Sequence, residues 1–146
     1  MQEFHKEKGL KESEGLEFKN NLFGGDCRVV GIGSCTDTVI VIPKMHKGRP
    51  VTAIGEEAFR GKGRDASIIM QEGITKICDS AFYNSDVVSV TIPVSVKKIG
   101  DNAFLDTYQL REVKYNGSRS DWEKIEKSHH LSFGSYDRRV AVTFLK

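Results

Sequence analysis

The chain has 146 residues, a net charge of +2 at pH 7, 38% hydrophobic residues and 29% charged residues. This balance predicts a folded domain with a core of its own, because disordered chains combine low hydrophobicity with high net charge. The mixed charges give no strong electrostatic case for nucleic acid or an anionic membrane, and no apolar run is long enough to span a bilayer.

The N-terminal part of the chain is rich in charge. Residues 1–18 mix acidic and basic side chains without an apolar block, so we expect a charged arm and no signal peptide in this chain. The three cysteines, Cys27, Cys35 and Cys78, include no C-x-x-C pair. We therefore expect free and mostly buried thiols rather than a disulfide framework or a zinc site.

Four short β-branched runs follow along the chain. They lie at residues 39–42, 67–70, 90–92 and 113–115. Alternating Val, Ile and Thr residues are typical of strands, so each run predicts one strand. Pro43 and Pro93 directly follow two of the runs and should end those strands, since proline cannot donate a ladder hydrogen bond.

A six-residue phrase recurs between these runs. It is I-G-E-E-A-F at residues 54–59, I-C-D-S-A-F at residues 77–82 and I-G-D-N-A-F at residues 99–104, with spacings of 23 and then 22 residues. Such a period predicts a stacked solenoid, in which neighbouring coils bury each other's apolar faces. We expect three apolar columns: Ile42, Met70, Ile92 and Tyr115; Ile54, Ile77 and Ile99; and Phe59, Phe82 and Phe104.

The copies are not equal. The first has five extra residues before its phrase, within residues 44–50, and it has Asp65 where an apolar residue is expected. In the second, Cys78 replaces the glycine of the phrase, which casts doubt on a positive φ at that position.

The C-terminal tail predicts a helix and a last strand. We expect the helix at about residues 121–128, with Ser120 as N-cap and Glu123 completing a capping box. Trp122 and Ile125 are three residues apart and should pack on the last coil.

Residues 138–144 alternate in polarity and predict the final strand. Together with the repeats and the charged N-terminal residues, this strand divides the chain into three parts. The expected division is therefore a charged arm (1–18), repeats with a lead-in segment (19–115) and a C-terminal cap (116–146).

The third copy carries a family resemblance. Residues 92–104, continuing to Leu110, Val113 and Tyr115, resemble the BspA-like class of leucine-rich repeats, and the similarity covers about residues 16–144. The resemblance implies a β-rich leucine-rich-repeat solenoid. Its short parallel strands should be joined by turns or 3-10 segments, and it should have one short C-terminal helix.

The same resemblance bears on function. It implies a non-enzymatic protein-interaction module of the adhesion type, secreted or on a bacterial cell surface, with a host or extracellular-matrix protein as partner and a glycan as a further option. The missing signal peptide favours an alternative, an intracellular scaffold or adaptor in the cytoplasm. A third reading is a fragment of a larger protein whose activity lies elsewhere.

The chain offers little for catalysis. His129 and His130 are adjacent and lack a third ligand at useful spacing, and the G-I-G at residues 31–33 lacks the third glycine of a dinucleotide site. We therefore expect no catalytic, cofactor-binding or metal-binding residues.

Strand alternation nevertheless suggests a binding face. If the first apolar column points inward, two columns point outward. They are Val41, Ile69, Thr91 and Lys114, and beside them Val39, Ser67, Ser89 and Glu112. An exposed apolar patch commonly marks a partner site, and the apolar members belong to the first two coils. The alternative is that the N-terminal arm or residues 44–50 cover this patch.

Overall fold

A computed structural model describes residues 10–146 of the chain, so residues 1–9 of the predicted arm lie outside the described part. In chain order the elements are β1 (Glu17–Asn20), β2 (Cys27–Gly31), β3 (Val39–Val41), β4 (Met45–His46), β5 (Arg49–Ile54), β6 (Ser67–Ile69), β7 (Lys76–Ile77), β8 (Ser89–Ile92), β9 (Lys98–Ile99), β10 (Glu112–Tyr115), α1 (Arg119–Glu123), β11 (Gly134–Ser135), β12 (Arg138–Arg139) and β13 (Val142–Phe144). They form the expected β-rich solenoid with one short helix.

The front sheet contains the predicted repeat strands. Its order is β3, β6, β8, β10 and β13, and all of its neighbours are parallel. Ile40 pairs with Ile68, Ile68 with Val90, and Val90 with Val113. The four predicted strands are therefore confirmed, in the register that the sequence gives.

The back sheet was not predicted as a sheet. The phrase isoleucines Ile54, Ile77 and Ile99 pair in parallel along β5, β7 and β9, and the β1–β2 hairpin closes the N-terminal end. Their apolar column was expected, but β7 and β9 have only two residues each. Strands of that length are too short for an alternation signal.

Each coil has a third side besides its strands in the front and back sheets, formed by the turns of the six-residue phrase. We call the backbone hydrogen bonds that join these turns from coil to coil the turn ladder. The Phe59 N–H donates to the Ala81 carbonyl at 2.7 Å, and the Phe82 N–H donates to the Ala103 carbonyl at 2.7 Å. Because each phrase bonds to the next one, the turns need no strand of their own to satisfy these backbone groups.

Stacked phenylalanines fill the core behind these turns. The ring centroids of Phe59 and Phe82 are 5.1 Å apart with an interplanar angle of 2°, and those of Phe82 and Phe104 are 4.9 Å apart with an angle of 7°. Phe133 extends the column at 4.7 Å from Phe104. It was missed because the tail does not repeat the six-residue phrase around it.

The sequence placed Asp65 at a core position, and this was wrong. Arg64 and Asp65 both have left-handed backbones, with φ of 44° and 61°, and Asp65 is exposed. Ala66 is fully buried, so the first coil keeps an apolar residue in the core next to this position.

The phrase glycines serve close approach rather than a positive φ. A Cβ on Gly55 would lie 2.7 Å from the carbonyl oxygen of Val29 in the preceding coil. Left-handed backbones instead occur two residues later, at Glu57, Ser80 and Asn102, with φ of 57°, 58° and 58°. Cys78 therefore does not require a left-handed backbone.

The helix begins earlier and is shorter than the sequence predicts. Its N-cap is Ser118, whose hydroxyl accepts from the Asp121 N–H at 3.1 Å, while the Asp121 carboxylate accepts from the Ser118 N–H at 3.1 Å. The predicted pair, Ser120 and Glu123, was wrong by two residues, because S-R-S-D-W-E contains two overlapping capping patterns.

Backbone bonds attach the C-terminal segment to both sheets. Glu126 exchanges backbone hydrogen bonds with Lys97 and Ile99, each at 2.9 Å, at the edge of the back sheet. The predicted last strand, 138–144, is two strands: β12 pairs with β11, and β13 pairs with β10 in the front sheet.

We predict that Phe82→Ala destabilises the protein by about 3–5 kcal/mol, because it removes a fully buried ring that has a neighbour on either side. Urea unfolding measures this, with Phe23→Ala as control, since Phe23 is 86% exposed. Equal unfolding midpoints for the two variants would contradict the stacked column.

We predict that Glu57→Asn stabilises the protein by about 0.5–1 kcal/mol, since asparagine tolerates a left-handed backbone better than glutamate does. The exposed ion pair of Glu57 with Arg60, at 2.7 Å, offsets only a few tenths of this (about 0.3 kcal/mol). Thermal unfolding is the measurement. The neighbouring change Glu56→Asn is the control, and a Glu57→Asn melting temperature at or below that control refutes the prediction.

Candidate functional site

The predicted outer columns are aligned on the front sheet. Register places Ser67 beside Val39 and Ser89, and it places Ile69 between Thr91 and Val41. The polar ends, Glu112 and Lys114, follow on β10. Strands in a sheet lie about 4.8 Å apart, so these side chains form two continuous rows across four coils.

Val41 does not belong to the free surface. It is 2% exposed, although strand alternation points it outward, whereas Val39 is 44% exposed and Ile69 is partly exposed. The exposed apolar part of this face therefore consists of Val39 and Ile69.

A segment of the N-terminal arm lies against the edge of β3 beside Val41. We call residues 12–15 the strap. The Ser13 N–H donates to the Val41 carbonyl at 2.9 Å, and the Ser13 hydroxyl accepts from the Val41 N–H at 2.9 Å and donates to Asp37 at 2.6 Å. The Glu12 carboxylate accepts from the Lys44 N–H at 2.9 Å. The strap thus protects an edge strand without adding a strand of its own.

The far end of the face is polar and longer than predicted. The Lys114 ammonium lies 3.7 Å from the Glu112 carboxylate, so the two charges partly neutralise each other. Thr143 of β13 pairs with Lys114 and is exposed, which adds a fifth member to that row. Sequence reasoning missed Thr143 because its pairing partner lies 29 residues earlier, outside the 22-residue period.

A shallow depression adjoins the row of Val39, Ser67, Ser89 and Glu112. It has a volume of about 500 Å³, and its lining includes Ser67, Ser89, Glu112, Asp65 and Arg111. Serines leave room for a partner to approach the sheet, and the surrounding charges form a polar border.

A groove on the back sheet brings several titratable groups near each other. Its lining includes Asp26, Thr52 and Cys78. A hydrogen bond from the Thr52 hydroxyl, at 2.6 Å, lowers the pKa of the Asp26 carboxyl, and burial raises the pKa of the Cys78 thiol. The shifts keep Asp26 ionised, unlike a general acid, and keep the Cys78 thiol protonated, unlike a cysteine nucleophile.

Within residues 10–146, no group of three or more His, Cys, Asp or Glu side chains is placed to hold a metal ion. No helix in the same range is both long and apolar enough to cross a bilayer.

Comparison with known proteins identifies the repeats. The sequence model of the BspA type Leucine rich repeat region (6 copies) matches residues 35–131. The chain belongs to this family. Leucine-rich repeats stack into extended surfaces that bind other proteins, and members of the family are typically non-enzymatic. The chain is thus a repeat protein-interaction module. A comparison with curated protein sequences found no match.

Two bacterial proteins of known structure are similar to the BspA-type chain. The T. pallidum leucine-rich repeat protein TpLRR is 18% identical, with a TM-score of 0.39 and 71% of each chain covered. The pneumococcal vaccine antigen PcpA is 17% identical, with a TM-score of 0.46, and the match covers 75% of this chain and 38% of that chain. At such low identity the likeness concerns the fold alone.

We predict that Ser13→Ala destabilises the protein by about 1–3 kcal/mol, because the Val41 N–H loses its acceptor and Asp37 loses a donor. Urea unfolding measures the loss, and hydrogen exchange at the Val41 amide should accelerate. The control is Ser120→Ala, an exposed helix position. Unchanged exchange at Val41 would show that the strap does not protect the edge.

Proposed function

We propose that this repeat module binds a protein partner through the front-sheet face, without catalysis. The face consists of Val39, Ser67, Ile69, Ser89, Thr91, Glu112 and Lys114, with Thr143 as an extension. The observation that carries this proposal is the alignment of these side chains in two rows, with the partly exposed Ile69 among small and β-branched neighbours.

The composition of the face suits a protein interface. Such interfaces combine an apolar centre with a polar rim. Ile69 and Val39 supply the apolar part, and Ser67 allows close approach between them. The Glu112–Lys114 pair supplies polar groups at the other end.

For the partner, we infer a protein outside the cell, such as a host or extracellular-matrix protein, with adhesion as the role. Family membership supports this inference, and a glycan is a further ligand to test. Secretion or display at a bacterial surface would follow from that role.

One observation favours the alternative, an intracellular scaffold or adaptor. Cys27, Cys35 and Cys78 are all free thiols, and Cys27 and Cys35 are buried. Free thiols persist in reducing compartments, whereas disulfides are usual outside the cell. A role as one part of a larger protein is compatible with either location.

We predict that Ile69→Asp lowers partner affinity at least about tenfold, because a buried, unpaired carboxylate is costly at an interface. Titration against purified extracellular-matrix proteins and a glycan array is the measurement. Val30→Asp is the matched control, since Val30 is a partly exposed aliphatic residue on the outer side of the back sheet.

The binding results for wild type and Ile69→Asp distinguish the front-sheet proposal, the adhesion role and the scaffold alternative. Loss of binding in Ile69→Asp alone, with unchanged melting temperatures, supports the front-sheet face. Equal binding by wild type and Ile69→Asp refutes it. If matrix proteins and glycans fail but a cytoplasmic protein binds in the same variant-dependent way, the scaffold alternative replaces the adhesion role.

A further inference from the structure

A hairpin loop of the back sheet, outside the front-sheet face, exposes two large apolar side chains. The loop, residues 21–26, joins β1 to β2 at the N-terminal end of the back sheet. Leu22 is 91% exposed and Phe23 is 86% exposed. Neither residue belongs to the repeat pattern, and the proposed partner face does not use them.

The base of this loop is fixed. The Asn21 N–H donates to the Asp26 carbonyl at 2.9 Å, and the Arg28 guanidinium donates to the Asn21 side chain at 2.8 Å. Gly24 and Gly25 have φ of 95° and 76°, which permits the tight return of the chain. The two apolar side chains are therefore held outward on a closed turn.

The size of the apolar tip argues against a protein partner as its occupant. A phenylalanine buries about 150–250 Å² and a leucine somewhat less, whereas a stable protein interface needs about 800 Å² on each side. The residues on either side are polar or glycine: Asn20, Asn21, Gly24 and Gly25. A bilayer, by contrast, accepts a small protruding tip without a complementary surface.

The charges around the loop are complementary to anionic lipid. Lys19 pairs with Arg28 across the hairpin, and the Cys27 thiol contacts the Arg49 carbonyl at 3.9 Å, which places Arg49 beside the start of β2. The carboxylate of the loop, Asp26, accepts a hydrogen bond from Thr52 at 2.6 Å. The same bond lowers the pKa of the Asp26 carboxyl, so this side chain keeps its negative charge, and Arg49 lies close enough to favour that charge. Three cations thus flank a loop that carries one carboxylate, although Glu56 and Asp79 line the groove on the Arg28 side.

From this geometry we propose that the loop docks the protein on a lipid bilayer, with Leu22 and Phe23 inserted below the headgroups. Lys19, Arg28 and Arg49 lie near the headgroups and favour anionic lipid. The net charge of the whole chain is too small to drive this association, so the apolar pair supplies most of the affinity.

The test uses the full chain and vesicles of phosphatidylcholine, alone or mixed with phosphatidylglycerol. Co-sedimentation should show binding to both, stronger with phosphatidylglycerol, and added salt should remove the difference. The double variant Leu22→Ser, Phe23→Ser should lower the partition coefficient at least about tenfold. Tyr136→Ser is the matched control, because Tyr136 is 91% exposed in the turn between β11 and β12.

A reporter variant tests insertion directly. In Phe23→Trp, the new indole fluorescence should shift to shorter wavelength when vesicles are added, whereas Tyr136→Trp should show no shift.

Absence of vesicle binding by wild type overturns the proposal, and so does binding that the double variant retains. Loss of a protein partner from the double variant, with no vesicle binding, would assign the tip to that protein instead. Ile69→Asp should bind vesicles like wild type, so the front-sheet proposal can fail without this one.

Discussion

No coil of this protein can bury its own apolar side chains, and the rest of the structure follows from that constraint. The phenylalanine ring of each coil packs against the ring of the next coil. Phe82 is enclosed because Phe59 and Phe104 lie on either side of it. Backbone hydrogen bonds also join each coil to its neighbour, in the front sheet, in the back sheet and in the turn ladder. Stability is therefore a property of contacts between neighbouring coils.

The sequence predicts the fold where one residue type repeats at a fixed spacing. The front-sheet strands and the three apolar columns are of this kind, and their register follows from Val, Ile and Phe alone. The back-sheet strands β7 and β9 could not be predicted, because two residues of strand carry no period. The prediction of the helix start was wrong for another reason: Ser118 and Ser120 are each followed three residues later by an acidic residue, so the sequence offers two overlapping caps, and the structure uses Ser118.

The candidate site was predictable to a similar extent. Alternation identifies which side chains point away from the core, and the paired strands have the register that it requires. Alternation alone could not reveal that Val41 is buried, because the strap beside it has a polar sequence. Glu12 and Ser13 act there through hydrogen bonds, which leave no hydrophobic pattern to detect. The alternative that the N-terminal arm covers the patch holds at Val41, but Val39 stays exposed. Thr143 was missed because the tail joins the front sheet outside the repeat period.

The last coil has no successor, yet its backbone groups find partners from three separate pieces of the tail. Glu126 bridges to Lys98 on the back sheet, Gly134 bridges to Leu105 on the turn ladder, and β13 pairs with β10 on the front sheet. The tail thus replaces a further coil with three separate segments, one for each side of the last coil. These bonds use backbone groups that every coil presents, and the tail rings beside them, Phe133 on Phe104 and Trp122 on Tyr115, pack on positions of the repeat pattern. The tail would therefore fit the end of a longer stack of like coils. Duplication of a 22-residue unit could thus lengthen the protein in evolution while both of its ends stay the same.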